Sequence, residues 1–583
     1  MAALHSSALA RLLAGLRRQL RASEAALIAL ALGLGSIAGL LTLAQGALAH
    51  RMQRILYGLG GGDRLSAQSE IDPGRLVALP LGGAILGLLI YLARRRRRAP
   101  IDVVEANALH GGVIPSRDSF AVSAQTIISN GVGASVGLEA AYAQLAGGLA
   151  SVVGQWLRLR RNDLRILVGA CAGAGVGAAF GAPLTGAFYA FEIVIGAYTP
   201  AAIAPVATAA LAAAVTARAL GLPAYLIVLP TADPIVSSDY FLFAALGLVC
   251  AIVGIVIMQA VTLVESLVRR SPIPDVARPF TGALLLVPIA LMTPQVLSAG
   301  HGALHLDLTT KVSIGFLATI FVLKILASVV SLGFGFRGGL FFASLFLGSI
   351  TGQCFAFLVE AIPGASPVNA SDAALIGMAA LAVAVVGGPL TMSMLVLEAT
   401  HDFALTSVAI TASLCASTLV RETFGFSFST WRLHTRGETI RSARDVGWVR
   451  NLTAGKMMRR DTPTIEDTAN LAEFRRRFPL GSTRIVVAVD EAGAYAGIVR
   501  VSAAFAADRE EDDNVSCIAR LQDTALAPEQ DVSAIMRLFE AEEADELAVI
   551  DGKGDLLGIV SEKYVRRRYT DEIEKAQKDL FGD

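Results

Sequence analysis

The chain has 583 residues, 54% of them hydrophobic and only 17% charged, with a mean hydropathy of +0.59. That balance excludes a water-soluble enzyme and fits a polytopic membrane domain with a soluble appendix. Lys plus Arg and Asp plus Glu balance at 49 each, which removes a global charge argument for nucleic acid, and five scattered Cys without CxxC spacing give no disulfide framework or zinc site.

Residues 1–22 carry Arg11, Arg17, Arg18 and Arg21 without a continuous apolar core, so they read as a cytoplasmic amphipathic helix and not as a cleaved signal peptide. Apolar runs at Ala25–Ala49 and Leu76–Ala93 each span a bilayer, and the second ends in Arg94–Arg98. Five arginines against an apolar helix place that end in the cytoplasm. From Asn107 to Leu220 the pattern breaks up, with Gly and Pro interrupting apolar pieces at GGVIP (111–115), GVGASVGLEAA (131–141) and GAPLTGAFYAFE (181–192). Broken helices at membrane depth persist only where they line a cavity or are buried in protein, which predicts a pathway.

Within this region Gly131, Gly133 and Gly137 let the backbone turn sharply and leave amide N–H groups exposed before an apolar helix that opens on Glu139. A first-turn glutamate in a soluble helix would only complement the helix dipole. Here it sits at membrane depth, where an ionisable group is expensive and functional by default. A glutamate competing with an anion for helix N-termini is a gate.

The second half repeats the first. GAPLT (181–185) is followed by Glu192 and GGPLT (387–391) by Glu398, with the same step from proline to glutamate, and the stretch before Glu139 has a counterpart in GFGFRGGLFFAS (333–344). Interrupted helices in corresponding positions of two halves point to internal duplication around a midplane site. Apolar blocks at Ala201–Ala219, Tyr240–Leu267, Phe280–Leu297, Phe316–Val330 and Ala373–Val386 fill the remaining spans, and SAGHGALHLD (298–307) reads as a surface loop whose His301 and His305 lack a third metal ligand.

After Thr435 the composition becomes that of a soluble α/β domain. RIVVAVDEAGAYAGIV (484–499) and ELAVIDGKGDLLGIV (546–560) each read strand, turn, strand, and each follows a helix marked by Leu471, Phe474 and Phe478 or by Val532, Ile535 and Phe539. Asp490 and Asp551, or Gly497 and Gly558, share one offset, so the tail is a repeat in itself. The acidic EEDD at 510–513 is a solvated linker.

On these motifs the chain resembles the CLC chloride channel and transporter family with a C-terminal pair of cystathionine-β-synthase (CBS) motifs. The resemblance implies an all-α polytopic membrane domain of inverted halves with re-entrant helices, followed by an α/β CBS pair. The expected divisions are residues 1–22 as N-terminal helix, 23–438 as membrane domain with halves at 23–220 and 235–438, and 439–583 as tail with repeats at 452–508 and 520–572. It also implies a homodimer in a cell membrane, with a separate anion pathway in each protomer and both the N-terminus and the tail cytoplasmic. GGVIP (111–115) resembles GSGIP, Gly137–Ala141 resembles GREGP, Gly338–Ala343 resembles GGIFAP, and FSTWRLHTRG (428–437) takes the place of the final pore helix.

By this resemblance Glu139 is the gating glutamate, and the anion is held by amides of Gly112, Val113, Ile114, Leu340 and Phe341 and by Ser429 in place of the pore tyrosine. Gly112 stands where the family has a serine, Leu138 and Ala141 replace the flanking residues of GREGP, and loss of the serine and tyrosine widens the inner vestibule unless Trp431 or Phe428 swings in. The internal proton glutamate falls on Ile193, which carries no proton. That departure favours a passive gated channel over a proton-coupled chloride exchanger. The transported ion is chloride or another small anion, fluoride being disfavoured by the first pore motif. No metal, enzyme cofactor or nucleic acid is expected, and adenine nucleotide at the CBS pair is disfavoured because Ser561 is followed by Tyr564 without the usual Asp, and Arg500 and Val501 likewise lack one.

Two other classes compete. A membrane-embedded enzyme needs a nucleophile and a base, and no GxSxG, HExxH or His/Cys/Asp cluster lies in the apolar region. A receptor that merely anchors a CBS nucleotide sensor needs neither re-entrant breaks nor an intramembrane Glu139.

Overall fold

In hydrocarbon every backbone N–H and C=O is satisfied within its own segment, so the apolar runs become helices. The computed structural model describes residues 23–93, 100–221, 235–309, 313–363, 368–428, 430–431, 452–507 and 509–581. The expected N-terminal helix at 1–22, the arginine run at 94–98, Ser429 and residues 432–451 lie outside the described residues. The chain divides into two compact units, Met1–Asp445 and Val446–Asp583.

In the first unit the first half runs α1 (Glu24–Tyr57), α2 (Ala78–Ala93), α3 (Val103–Leu109), α4 (Ser116–Gly131), α5 (Glu139–Trp156), α6 (Arg161–Phe180), α7 (Pro183–Tyr189) and α8 (Pro200–Ala219). The second half runs α9 (Ser237–Arg270), α10 (Arg278–Met292), α11 (His301–Thr309), α12 (Ile314–Gly333), α13 (Phe341–Glu360), α14 (Ala370–Val386), α15 (Pro389–Thr400) and α16 (Phe403–Thr423). Eight described helices are long and apolar enough to cross a membrane. The segment holding His301 and His305 differs from the expected surface loop. It is helix α11, and His301 stacks on Phe342 with ring centroids 3.6 Å apart.

Small residues set the helix spacing, as expected where lipid removes the hydrophobic drive between helices. A Cβ at Gly348 would strike the Gly377 carbonyl, and one at Gly352 the Ala373 carbonyl, so α13 and α14 touch backbone to backbone. Gly35 and Gly39 of α1 meet Ala209 and Ala213 of α8 in the same way.

The duplication is geometric. The paired PLT segments exchange caps: the Glu398 carboxylate accepts from Leu184 N (2.7 Å), Thr185 N (2.8 Å) and Thr185 Oγ1 (2.7 Å) at the start of α7. Glu192 accepts from Leu390 N (3.2 Å), Thr391 N (2.8 Å) and Thr391 Oγ1 (2.7 Å) at the start of α15. Proline heads each helix because its missing N–H is one of the orphans there. Each glutamate therefore neutralises the helix start of the opposite half.

The second unit opens with α17 (Ala454–Met457), then β1 (Thr464–Glu466), α18 (Leu471–Arg477), β2 (Ile485–Val489) and β3 (Tyr495–Arg500), followed by α19 (Val532–Ala541), β4 (Glu546–Ile550), β5 (Leu556–Ser561) and α20 (Glu562–Phe581). The hairpins β2–β3 and β4–β5 are antiparallel, with a bulge at Ala488/Val489 in one and at Val549/Ile550 in the other. Strand β1, parallel to β2, is one element the sequence pattern does not announce.

Candidate functional site

Glu139 is the first residue of α5 and is only 3% exposed. It is reached through a loop in which Gly133 takes φ +93°, a left-handed conformation open to glycine. The matching loop before α13 turns at Gly335, φ +95°. The two loops meet across the centre, where Gly137 and Gly339 form an antiparallel bridge and Gly137 N donates to Gly339 O at 3.0 Å. A Cβ at Gly137 would meet the end of the Glu139 side chain, whose carboxylate folds back over the bridge toward Gly339. Among the described residues Glu139 Oε2 has no hydrogen-bond partner.

Leu340 and Phe341 open α13 beside this bridge, both buried. The helix ladder begins at Ser344, whose N–H donates to Leu340 O at 2.8 Å, so the preceding amides are the orphan donors of a helix start. Aromatic rings line this point: Phe341 lies 5.3 Å from Phe180 and 6.2 Å from Tyr189 between centroids.

Gly112, Val113 and Ile114 do not join this site, which corrects the expectation from sequence. Gly112 N donates to Ala106 O (3.0 Å), Val113 N to His110 O (3.2 Å) and Ile114 N to Ser151 Oγ (2.8 Å), so their amides are engaged. Ser151 lies twelve residues beyond Glu139 on α5, about 18 Å along the axis at 1.5 Å per residue. The reason is local. Gly111 and Gly112 (φ +61° and +83°) make the turn that ends α3, and Pro115 is the N-cap residue of α4, so the amides between them are taken up within that turn and by Ser151.

Just ahead of GGVIP, Asp102 caps the start of α3, its Oδ1 accepting from Glu105 N at 2.8 Å. The sequence signal was present: Asp102 followed by Glu105 has the capping-box spacing, straight after Pro100.

Ile193 falls in a π-helical turn, Ala190–Ile195, at the end of α7. With Glu192, Val104, Tyr198, Arg421 and Thr430 it lines a cavity of about 470 Å³. Such turns recur at functional sites. Trp431 stays at the side, its Nε1 donating to Thr262 Oγ1 (3.1 Å) and its ring packed on Phe424 (4.7 Å), while Phe428 is buried.

In the tail, Arg484 (2.8 Å) and Arg500 (3.1 Å) from one hairpin both pair with Asp545 beside the other. Burial pushes the neighbouring Glu546 carboxyl up from its ordinary value, against the pull of Arg484 and Arg459. No group of three or more His, Cys, Asp or Glu with metal-binding geometry occurs among the described residues.

A duplicated, re-entrant membrane domain with a buried carboxylate between two helix starts, followed by two repeated helix–strand–strand units, is a distinctive class of protein. The family model described as voltage gated chloride channel matches residues 82–421, and that of the CBS domain matches 518–571. The chain belongs to the voltage-gated chloride channel (CLC) family. It is 30% identical over 383 residues to a chloride channel protein of Ralstonia nicotianae named ClcB-like, covering 63% of this chain and 89% of that one. Among solved structures, a slow cyanobacterial Cl−/H+ antiporter has TM-score 0.60 at 22% identity, covering 70% of this chain and 97% of that one. A eukaryotic CLC transporter has TM-score 0.59 at 17% identity, covering 92% and 97%.

Proposed function

We propose that this chain carries chloride across the membrane as a passive conductor gated by Glu139, with one pathway in each copy of a homodimer and a cytoplasmic tail. The observation that carries this reading is Glu139 Oε2, which has no hydrogen-bond partner among the described residues and lies buried against Gly339 at the start of α13. Ionised, the carboxylate occupies the anion's place before the orphan amides of Leu340 and Phe341. Protonated, it gives that place up. Amide dipoles hold a small anion without the deep trap of a fixed cation, so it can leave again. The family relationship supports anion transport, and Ile193 in place of a second acid supports passive flow.

Proton-coupled exchange is the second reading, favoured by the likeness in fold to a cyanobacterial Cl−/H+ antiporter. The reversal potential in planar bilayers under opposed chloride and proton gradients separates the two. We expect a value that follows chloride alone. Displacement by the proton gradient would favour exchange.

A further inference from the structure

Lys324 lies in the middle of α12 with none of its surface exposed. A lysine at membrane depth is costly and calls for a function. Its Nζ donates to Val296 O (3.0 Å) and Ser298 O (2.9 Å), both on the segment between α10 and α11.

That segment holds the gate loop. Ser298, itself at φ +56°, donates its N–H to Gly133 O (2.9 Å). Its Oγ accepts from Gln53 Nε2 (3.0 Å), which also donates to Asn130 Oδ1 (3.1 Å), and Asn130 Nδ2 donates to Val136 O (2.8 Å). Four and seven residues on from Lys324, along the same face of α12, Ser328 Oγ meets Ser135 Oγ (3.0 Å) and Ser331 Oγ accepts from Ser135 N (3.0 Å). Hydrogen bonds leading from Lys324 through Ser298 therefore reach positions 133 and 136 of the loop that delivers Glu139, and two serines on the same face of α12 hold position 135.

Few charges answer Lys324 on the elements packed against α12. Helix α9 brings Glu265, which meets α12 at Gly333, about two and a half turns away. Helix α10 carries Arg278 at its first residue, and α13 carries Glu360 at its last. Helix α11 brings His301, within electrostatic reach of Lys324, Arg64 and His50, and also Asp307. The gate loop brings Glu139.

We propose that Lys324 is the positioning residue of the gate. Its ammonium pins the 133–137 loop through Ser298, and so holds the Glu139 carboxylate in the anion's place. This rests on the gating reading of Glu139, and Lys324 acts on the anion only through that loop.

The test is chloride efflux against pH from liposomes holding the full chain. Lys324→Met removes the donors that hold Ser298 and frees the loop, so the Glu139 carboxylate leaves the anion's place more readily and the pH of half-maximal flux moves to the alkaline side. Lys324→Gln keeps two donors and moves it the same way by less; if the Met variant does not fold, the Gln variant carries the test. In a Glu139→Gln background both substitutions leave the pH profile unchanged. A midpoint unmoved by loss of Lys324, or the same change in the Glu139→Gln background, overturns the proposal. Wild-type flux indifferent to pH would instead overturn the gate reading, and this proposal with it.

Discussion

Glu192, Glu398 and Glu139 are carboxylates at helix starts, and their partners separate them. Glu192 and Glu398 each take three hydrogen bonds from the opposite half, so they serve as caps. Glu139 Oε2 takes none among the described residues and is left free for a role that changes with its charge. Truncating Glu398 to Ala abandons two amides and a hydroxyl at the start of α7, at a cost of about 1–3 kcal/mol. Thermal unfolding of the detergent-purified protein should show a lower midpoint for Glu398→Ala, and a smaller drop for Thr185→Val, which leaves both amides paired. The equal step from Pro183 to Glu192 and from Pro389 to Glu398 was legible in the sequence. That each glutamate reaches across to the other's proline was not, because spacing along one chain does not reveal which helix starts lie opposite.

At the scale of elements, the spans and the tail hairpins were read correctly because their patterns are long or repeated. The errors fell on glycine. GGVIP (111–115) and GVGASVG (131–137) offer the same residue types and both join two helices, α3 to α4 and α4 to α5, yet only the second leads to the buried Glu139. Whether the amides of such a turn stay open is decided by where they find acceptors, here Ala106 O, His110 O and Ser151 Oγ for the first. Lys324 was visible in FVLKILA as a lone charge in an apolar run but became meaningful only beside Val296 and Ser298. In the tail, Asp551 Oδ1 accepts from Lys553 N (2.8 Å) and Asp555 N (2.9 Å), and Asp490 repeats this with Ala492 and Ala494. These amide bonds, that from Lys553 foremost, hold the Asp551 carboxyl below its ordinary value. A depressed acid adds stability above its unfolded-state pKa and loses it as pH falls through the folded one. Acid titration of the Val446–Asp583 unit followed by circular dichroism should therefore show an unfolding limb below about pH 4 that Asp551→Asn flattens.

Across the whole molecule, the account depends on two halves that approach each other through glycine loops and leave one small polar centre between them. Large apolar side chains such as Leu248, Ile252 and Val256 on α9 are exposed, as a lipid-facing surface requires, while Glu139, Leu340 and Phe341 are buried. The sequence reading set amides near Gly112, Glu139 and Leu340 around the anion; the structure buries Leu340 and Phe341 beside Glu139, engages the Gly112 amide with Ala106 O, and leaves Ser429 outside the described residues.

The most direct measurement is chloride efflux from liposomes across a pH series for the wild-type chain and for Glu139→Gln, an uncharged isostere of the protonated gate. The account predicts wild-type flux that rises with acidity, and variant flux that is high and flat at every pH. A variant whose flux still follows pH as the wild type does would contradict it.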